Sequence, residues 1–221
     1  MRLSKDKFRK ILSLILACSL LLSLNCVHAH EMYYRGNPPQ GINLTTHARK
    51  DGKAYLKISG DYLSSAYDPF YASVIRAWPS KSSRVVCVDN STYDSTVDMT
   101  TGSTSYWIKY YGNESKSRLH LGHCISTTSD GVKLETAEDA YNSSRRIRYT
   151  GLMLTPFMDC YSNDTNIKAT MVHELGHAMG LGHSDDPSYY PTTARSIMRK
   201  APSGSYWEPQ AHDISDLEKK Y

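Results

Sequence analysis

After residue 29, the sequence has no long apolar run and no excess of positive or negative charge. Nothing after residue 29 is long and apolar enough to span a bilayer. Residues 1–29 hold five of the 26 Lys and Arg residues and one of the 22 Asp and Glu residues, which leaves 21 of each sign in the rest of the chain. This formal charge of zero gives no reason to expect nucleic acid as a partner.

The sequence also lacks internal repeats, low-complexity tracts and a second domain, and cysteine is scarce. Three cysteines follow residue 29, namely Cys87, Cys124 and Cys160, and none of them forms a Cys-x-x-Cys pair. A three-cysteine metal site is therefore poorly supported. In an exported protein, one disulfide with one thiol left over is expected, and the spacing leaves the pairing open.

The first 29 residues have the features of an export signal. Five basic residues are followed by an apolar stretch over residues 11–24, and Val27 and Ala29 are the small residues that a signal peptidase requires. The apolar stretch is shorter than the roughly 18 residues of a spanning helix, which makes a membrane anchor the weaker alternative. We therefore predict a signal peptide over residues 1–29, cleavage after Ala29, and a secreted, extracellular protein without a membrane anchor.

The remaining residues indicate an N-terminal arm followed by one domain. Residues 30–52 contain several Gly and Pro residues and little apolar periodicity, so they predict an extended arm. Residues 53–221 suffice for a single domain with a sizeable core.

Hydrophobic periodicity in residues 53–221 predicts five strands and three helices. The first strand alternates apolar and polar residues from Ala54 to a turn at Gly60 and Asp61. Further strands are predicted over residues 84–88, 104–111, 119–126 and 149–155. Helices are predicted over residues 67–78, from Asn163 or Asp164 to Gly180, and around Ile214 with Pro209 in its first turn.

The second predicted helix contains two histidines and a glutamate at a spacing that suits a metal. His173 and His177 are four residues apart, so both imidazoles lie on one face of the helix about one turn from each other. Glu174 lies close enough to address a metal-bound water without being a ligand. Gly180 allows the chain to leave helical geometry, and the turn brings back His183. A chance His-Glu-x-x-His pattern in an ordinary amphipathic helix is the alternative.

The longer pattern resembles that of the metzincin metalloproteases, and within them the matrixin family. His173, Glu174, His177, Gly180 and His183 fill every fixed position of the long metzincin motif. Ser184 directly follows the third histidine, as in matrixins. The segment Ser196-Ile197-Met198 resembles a Met-turn, and the C-terminal residues 210–221 resemble the matrixin terminal helix.

The resemblance implies an α+β, zincin-like catalytic domain and a set of site residues. The expected domain has a five-stranded twisted mixed sheet, three helices, and a small lower subdomain with the Met-turn after the active-site helix. His173, His177 and His183 would hold one zinc ion, Glu174 would be the general base, and Met198 would pack beneath the metal. Residues 119–126 would form an antiparallel edge strand that pairs with a protein or peptide substrate, with Leu119, Leu121 and His123 as candidates. We expect a monomer.

Several family features have no counterpart in the sequence. The Pro-Arg-Cys-Gly segment of matrixin zymogens is missing, so we expect activity without removal of a propeptide. His123 resembles one ligand of the structural zinc of matrixins, but the other three ligands and the glycine-rich calcium loop have no counterparts. A second zinc and structural calcium are therefore not expected, and we assign His120 and His123 a surface or edge-strand role. With the last two strands antiparallel, a Cys124–Cys160 disulfide is predicted.

The sequence therefore predicts a secreted zinc endopeptidase. The alternative is a catalytically silent secreted zinc-binding or adhesion protein with the same fold. Glu174 argues against that alternative, since zinc binding alone requires no carboxylate at this position. An enzyme of another metzincin family is a further alternative.

Overall fold

The computed structural model describes residues 49–90, 94–134, 147–184, 195–201 and 204–221. The predicted signal peptide and most of the predicted arm lie outside these residues. In the part of the chain that is described, no helix is long and apolar enough to cross a membrane.

The described residues form a mixed sheet with helices. The strands are β1 (Arg49–Lys50), β2 (Lys53–Tyr62), β3 (Val85–Asp89), β4 (Val97–Thr101), β5 (Gly122–Thr128), β6 (Lys133–Leu134) and β7 (Ile147–Leu154). The helices are α1 (Asp68–Ala77), α2 (Thr104–Tyr111), α3 (Glu114–Ser117), α4 (Asp164–Ala178) and α5 (Ala211–Lys220), with a short 3-10 helix at Met158–Cys160. This is the α+β composition expected from the sequence.

Five longer strands form the body of the sheet in the spatial order β3, β2, β4, β7 and β5. The first four are parallel, and β5 is antiparallel to β7. The two-residue strands β1 and β6 pair antiparallel with β2 and β5, so the sheet has seven strands rather than the predicted five. The strand β1 lies within the predicted arm. In β2, the expected turn at Gly60 and Asp61 is a bulge within a strand that continues to Tyr62.

The core joins the sheet to α1 and α4. Trp78 is fully buried at the end of α1, and its indole N–H donates to the carbonyl oxygen of Val172 in α4 at 3.0 Å. The buried face of α1 also includes Val74 and Ile75. Because α4 is buried over most of its length, it is held on several sides rather than lying on the surface.

The structure first differs from the sequence prediction at residues 104–111. We predicted a strand there, and these residues form the helix α2. The hydroxyl oxygen of Ser103 accepts from the N–H of Tyr106 at 3.2 Å and caps the start of the helix. At the end, Gly112 adopts a φ of 94°, and its N–H donates to the carbonyl of Ile108 at 2.8 Å. These two caps satisfy backbone groups that a helix leaves unpaired, and they outweigh the aromatic composition that favoured a strand.

A second difference is the sheet strand β4, which the sequence analysis did not predict. Its first three residues, Val97, Asp98 and Met99, are all buried, so the alternation typical of a half-buried strand is absent. The hydroxyl of Tyr149 in β7 donates to the Asp98 carboxylate at 2.8 Å. The Ser95 hydroxyl also donates to this carboxylate, so two hydrogen bonds satisfy the buried aspartate.

The C-terminal helix and the cysteines also differ from expectation. The helix α5 begins at Ala211 with Gln210 as its N-cap, so Pro209 precedes the helix instead of lying in its first turn. Cys87, Cys124 and Cys160 are free thiols, and the predicted Cys124–Cys160 disulfide is not formed. Cys124 packs against the hydrophobic core from β5, whereas Cys160 ends the 3-10 helix that follows β7.

Candidate metal centre and cleft

Three histidine side chains meet at the C-terminal end of α4. The ring centroids of His173 and His177 are 4.6 Å apart, and that of His183 lies 5.2 Å and 4.8 Å from them. One nitrogen from each ring lies within 4.8 Å of the other two. The three residues that the sequence motif selected are therefore close enough to bind one cation.

A glycine-based helix end brings His183 back to the other two histidines. Gly180 has a φ of 86°, a conformation in which glycine carries no steric penalty. Its N–H donates to the carbonyl of His177 at 2.8 Å, and the N–H of Leu181 donates to the carbonyl of Gly176 at 3.0 Å. This pair of bonds is the Schellman motif, which reverses the chain directly after the helix.

Backbone carbonyls orient two of the imidazoles. The Nδ1 of His173 donates to the carbonyl oxygen of Ile197 at 2.8 Å, and the Nδ1 of His177 donates to that of Leu181 at 2.7 Å. Because a carbonyl oxygen only accepts, each Nδ1 carries the proton and each Nε2 presents its lone pair to a cation. Neutral imidazoles fixed by such outer bonds are the usual ligands of zinc, so the residues present fit a zinc ion.

The predicted Met-turn, Ser196-Ile197-Met198, is bonded to His173 through the carbonyl of Ile197 and is tied to α5. The carboxylate of Asp213, which is fully buried, accepts from the Ser196 hydroxyl at 2.5 Å and from the N–H of Ile197 at 2.9 Å. Met198 is also fully buried, and a side chain on Gly176 in α4 would collide with its sulfur atom. The sequence analysis missed Asp213 and Gly176. The Asp213 position in the capping box of α5 is a signal that could have identified it.

Asp213→Ala should destabilise the protein and weaken zinc binding. The change removes the bonds to Ser196 and Ile197, and the carbonyl of Ile197 orients His173. We expect a loss of about 3 kcal/mol in the free energy of unfolding and a drop of roughly 10-fold or more in zinc affinity. Thermal unfolding and zinc titration measure the two effects.

Asp216→Ala is the matched control for that substitution. Asp216 is a buried aspartate on the same helix, and its carboxylate accepts from Lys219 of that helix at 2.7 Å. It should leave the zinc affinity unchanged. Equal losses of affinity in the two variants would contradict the link from Asp213 through the Met-turn to His173.

Glu174 directly follows His173 on α4, and its carboxyl group is buried against Gly122 of β5. Only 5% of the residue is exposed, and within the described part of the chain its Oε2 has no hydrogen-bond partner. Burial raises the pKa of Glu174 to about 8, and a cation bound by the histidines would oppose this shift. Burial, followed by the charge of Glu174, also raises the pKa of Tyr111, which places Tyr111 near the carboxylate.

Comparison with known proteins identifies the family of the chain. The model of the matrixin family, a peptidase family, matches residues 76–214, which is more than half of the chain. The chain belongs to the matrixin family. Among solved structures, this matrixin is similar to high choriolytic enzyme 1, a hatching enzyme zinc-protease from the medaka fish Oryzias latipes. The identity is 14%, the TM-score is 0.41, and the match covers 77% of this chain and 90% of that chain.

Among the described residues, one side of β5 has no strand partner at the positions next to Glu174. The N–H of Thr155, just after β7, donates to the carbonyl of Leu121 at 3.0 Å. Backbone direction alternates along a strand, so the N–H and C=O groups of Gly122 and Cys124 face away from β7. The strand β6 pairs only with Ser126 and Thr127. Gly122 and Cys124 are therefore the described positions where an extended peptide can add to the sheet.

The three edge-strand candidates lie in different surroundings. Leu119 precedes β5 and is 79% exposed. The carbonyl of Leu121 accepts from Thr155 and also from the hydroxyl of Tyr161 at 3.2 Å, so it faces the interior of the sheet. The strand itself is antiparallel, as expected, and begins at Gly122.

His123 of β5 belongs to an aromatic cluster formed with residues of α2, which we define as Trp107, Tyr110, Tyr111, His120 and His123. The Nδ1 of His123 lies 3.1 Å from the hydroxyl of Tyr111, and the ring of His120 stacks on Tyr111 at a centroid distance of 3.9 Å. Burial lowers the pKa of His123 to about 4, with a smaller contribution from His120. The sequence analysis missed this cluster because residues 104–111 were predicted as a strand.

Proposed function

We propose that this matrixin is a secreted zinc endopeptidase that hydrolyses peptide bonds of protein substrates, with Glu174 as general base. The observation that carries the proposal is the cluster of three histidines, two of which are held in the metal-binding tautomer by backbone carbonyls, on a helix where the buried Glu174 directly follows His173. When bound, zinc supplies a Lewis acid that activates water and polarises a carbonyl group. Residues of the chain transfer the proton and bind the substrate.

Glu174 moves the proton in the proposed reaction. It adjoins a ligand histidine but is not one of the three ligands, so its carboxylate remains available to accept the proton of the attacking water. The same proton then passes to the nitrogen of the leaving amine as the C–N bond breaks. A carboxylate that is not a metal ligand is suited to both halves of this transfer, because it can accept a proton from water and later release it to the amine.

The substrate is proposed to lie extended along the open side of β5. The backbone groups of Gly122 and Cys124 would pair with the peptide as a further antiparallel strand, which positions the scissile bond beside Glu174. Main-chain pairing suits an endopeptidase because it requires no free peptide terminus.

Cleavage of casein or gelatin by the purified protein tests the function directly. We expect hydrolysis that a chelator stops and added zinc restores, and mass spectrometry should find internal cleavage sites. A protein that binds one zinc ion tightly but cleaves neither substrate nor any member of a peptide library would instead be the silent zinc-binding protein.

Export is a separate prediction of the proposal. Residues 1–29 have the charge and apolar pattern of a signal peptide. The protein recovered from the medium of expressing cells should therefore begin at His30, as N-terminal sequencing would show. Replacing Ala29 with a bulky residue should move or block the cleavage, whereas retention of an intact N-terminus in the cell fraction would contradict export.

A further inference from the structure

The side chain of Glu174 occupies the space that a side chain on Gly122 would need. A Cβ atom built on Gly122 would lie 2.6 Å from Cδ and 2.7 Å from Cγ of Glu174, and closer still to Oε1. Real Cβ atoms essentially never approach another heavy atom within 3.0 Å. The carboxyl group of Glu174 therefore lies directly against the backbone of β5.

Backbone conformation does not explain the glycine at position 122. The glycines with positive φ in the described residues are Gly52, Gly112, Gly131 and Gly180, so Gly122 has a conformation that alanine also adopts. Glycine in a strand is otherwise unfavourable and often marks a close approach of another group. At this position, the close approach is that of Glu174.

Packing also determines where the carboxylate of Glu174 lies. Its Oε2 has no hydrogen-bond partner among the described residues, so no bond to that oxygen fixes its orientation. The contact with Gly122 limits how far the side chain extends toward the edge strand. A methyl group at position 122 would force the carboxylate away from β5, because ordinary contacts begin at 3.4 Å.

We propose that Gly122 is a positioning residue for the catalytic carboxylate: its missing side chain lets Glu174 lie at the open edge of β5, where the scissile bond is bound. This inference rests on the proposed function for the catalytic role of Glu174. The contact itself does not depend on catalysis. The proposal predicts that Gly122→Ala lowers stability and activity because it displaces the Glu174 side chain, and not because it disturbs the rest of the fold.

Thermal unfolding of the metal-free protein tests the contact. Gly122→Ala should lower Tm by roughly 5 °C, as expected for overpacking in a protein of this size. In the Glu174→Ala background, which lacks all three colliding atoms, the same substitution should cost far less. Gly151→Ala is the matched control, because Gly151 lies in β7 and its added Cβ would meet no atom closer than 3.6 Å.

Kinetics test the positioning role. Gly122→Ala should lower kcat by roughly 10-fold or more, since a displacement of about 1 Å is enough to disturb a reacting geometry. KM and zinc affinity should stay close to those of the parent, because the substrate strand and the three histidines are unchanged. Gly151→Ala should keep kcat, KM and zinc affinity.

The outcomes separate the two proposals. An equal Tm loss for Gly122→Ala in the parent and in the Glu174→Ala background would overturn the contact. An active parent whose kcat survives Gly122→Ala would overturn the positioning role alone. A parent that hydrolyses no peptide contradicts the proposed function, while the Tm comparison still decides whether Glu174 occupies the Gly122 space.

Discussion

Glu174→Ala should lower the rate of peptide hydrolysis by a factor on the order of 10² or more, which is the usual scale for loss of general acid–base catalysis. The zinc content should remain nearly unchanged. The reason is positional: Glu174 follows His173 on α4 but is not one of the three histidines that meet at the candidate metal centre. Its removal deletes the group that moves the proton and leaves the ligands in place.

Metal content must be measured beside turnover to interpret this variant. Glu174→Gln is the matched control, because the amide has nearly the volume of the carboxyl group and fills the same space against Gly122. Both variants should bind zinc and both should be slow. A Glu174→Ala protein that cleaves at the parental rate would exclude Glu174 as the general base.

The elements with strong periodicity were predictable from sequence. The strand β2 alternates buried and partly exposed residues over its first half, and α1 repeats buried residues at helical spacing before Pro79. For α4, the N-cap Asn163 and the terminal Gly180 gave both ends within two residues. In each case the signal lies within the segment itself.

The elements that were missed depend on distant partners or on caps. The helix α2 contains Trp, Ile and three Tyr residues, which favour a strand, and only Ser103 and Gly112 at its ends indicate a helix. The strand β4 is short, and its buried Asp98 accepts hydrogen bonds from the nearby Ser95 and from Tyr149 in β7. The partner Tyr149 cannot be identified from the sequence around Asp98.

The candidate site also contains residues that local sequence predicts and residues that it does not. His173, His177 and His183 lie within eleven consecutive residues, so helix geometry and one glycine turn were enough to group them. The residues around them come from elsewhere in the chain: Ile197 orients His173 by its carbonyl, Asp213 holds Ile197, and Gly122 makes room for Glu174. These contacts join segments that are distant in sequence, and no spacing rule predicts them.

His177→Ala should differ from Glu174→Ala by lowering both metal content and activity. The substitution removes one of three ligands, and it also leaves the carbonyl of Leu181 without the Nδ1 donor that lies 2.7 Å away. Loss of an outer-shell partner alone costs about 10–100-fold in metal affinity, so loss of a ligand should exceed this range.

Zinc-dependent stability distinguishes this loss from a general defect in folding. A ligand that binds only the folded state stabilises it by about 4 kcal/mol at a thousandfold excess over Kd. Added zinc should therefore raise the Tm of the parent and of Glu174→Ala, and should leave that of His177→Ala almost unchanged. His120→Ala is the control for removing a histidine outside the centre, since the His120 ring stacks on Tyr111, and it should keep its full zinc content. If His177→Ala retains one zinc ion per chain and a parental Tm response, then His177 is not a ligand, and the three-histidine centre is wrong.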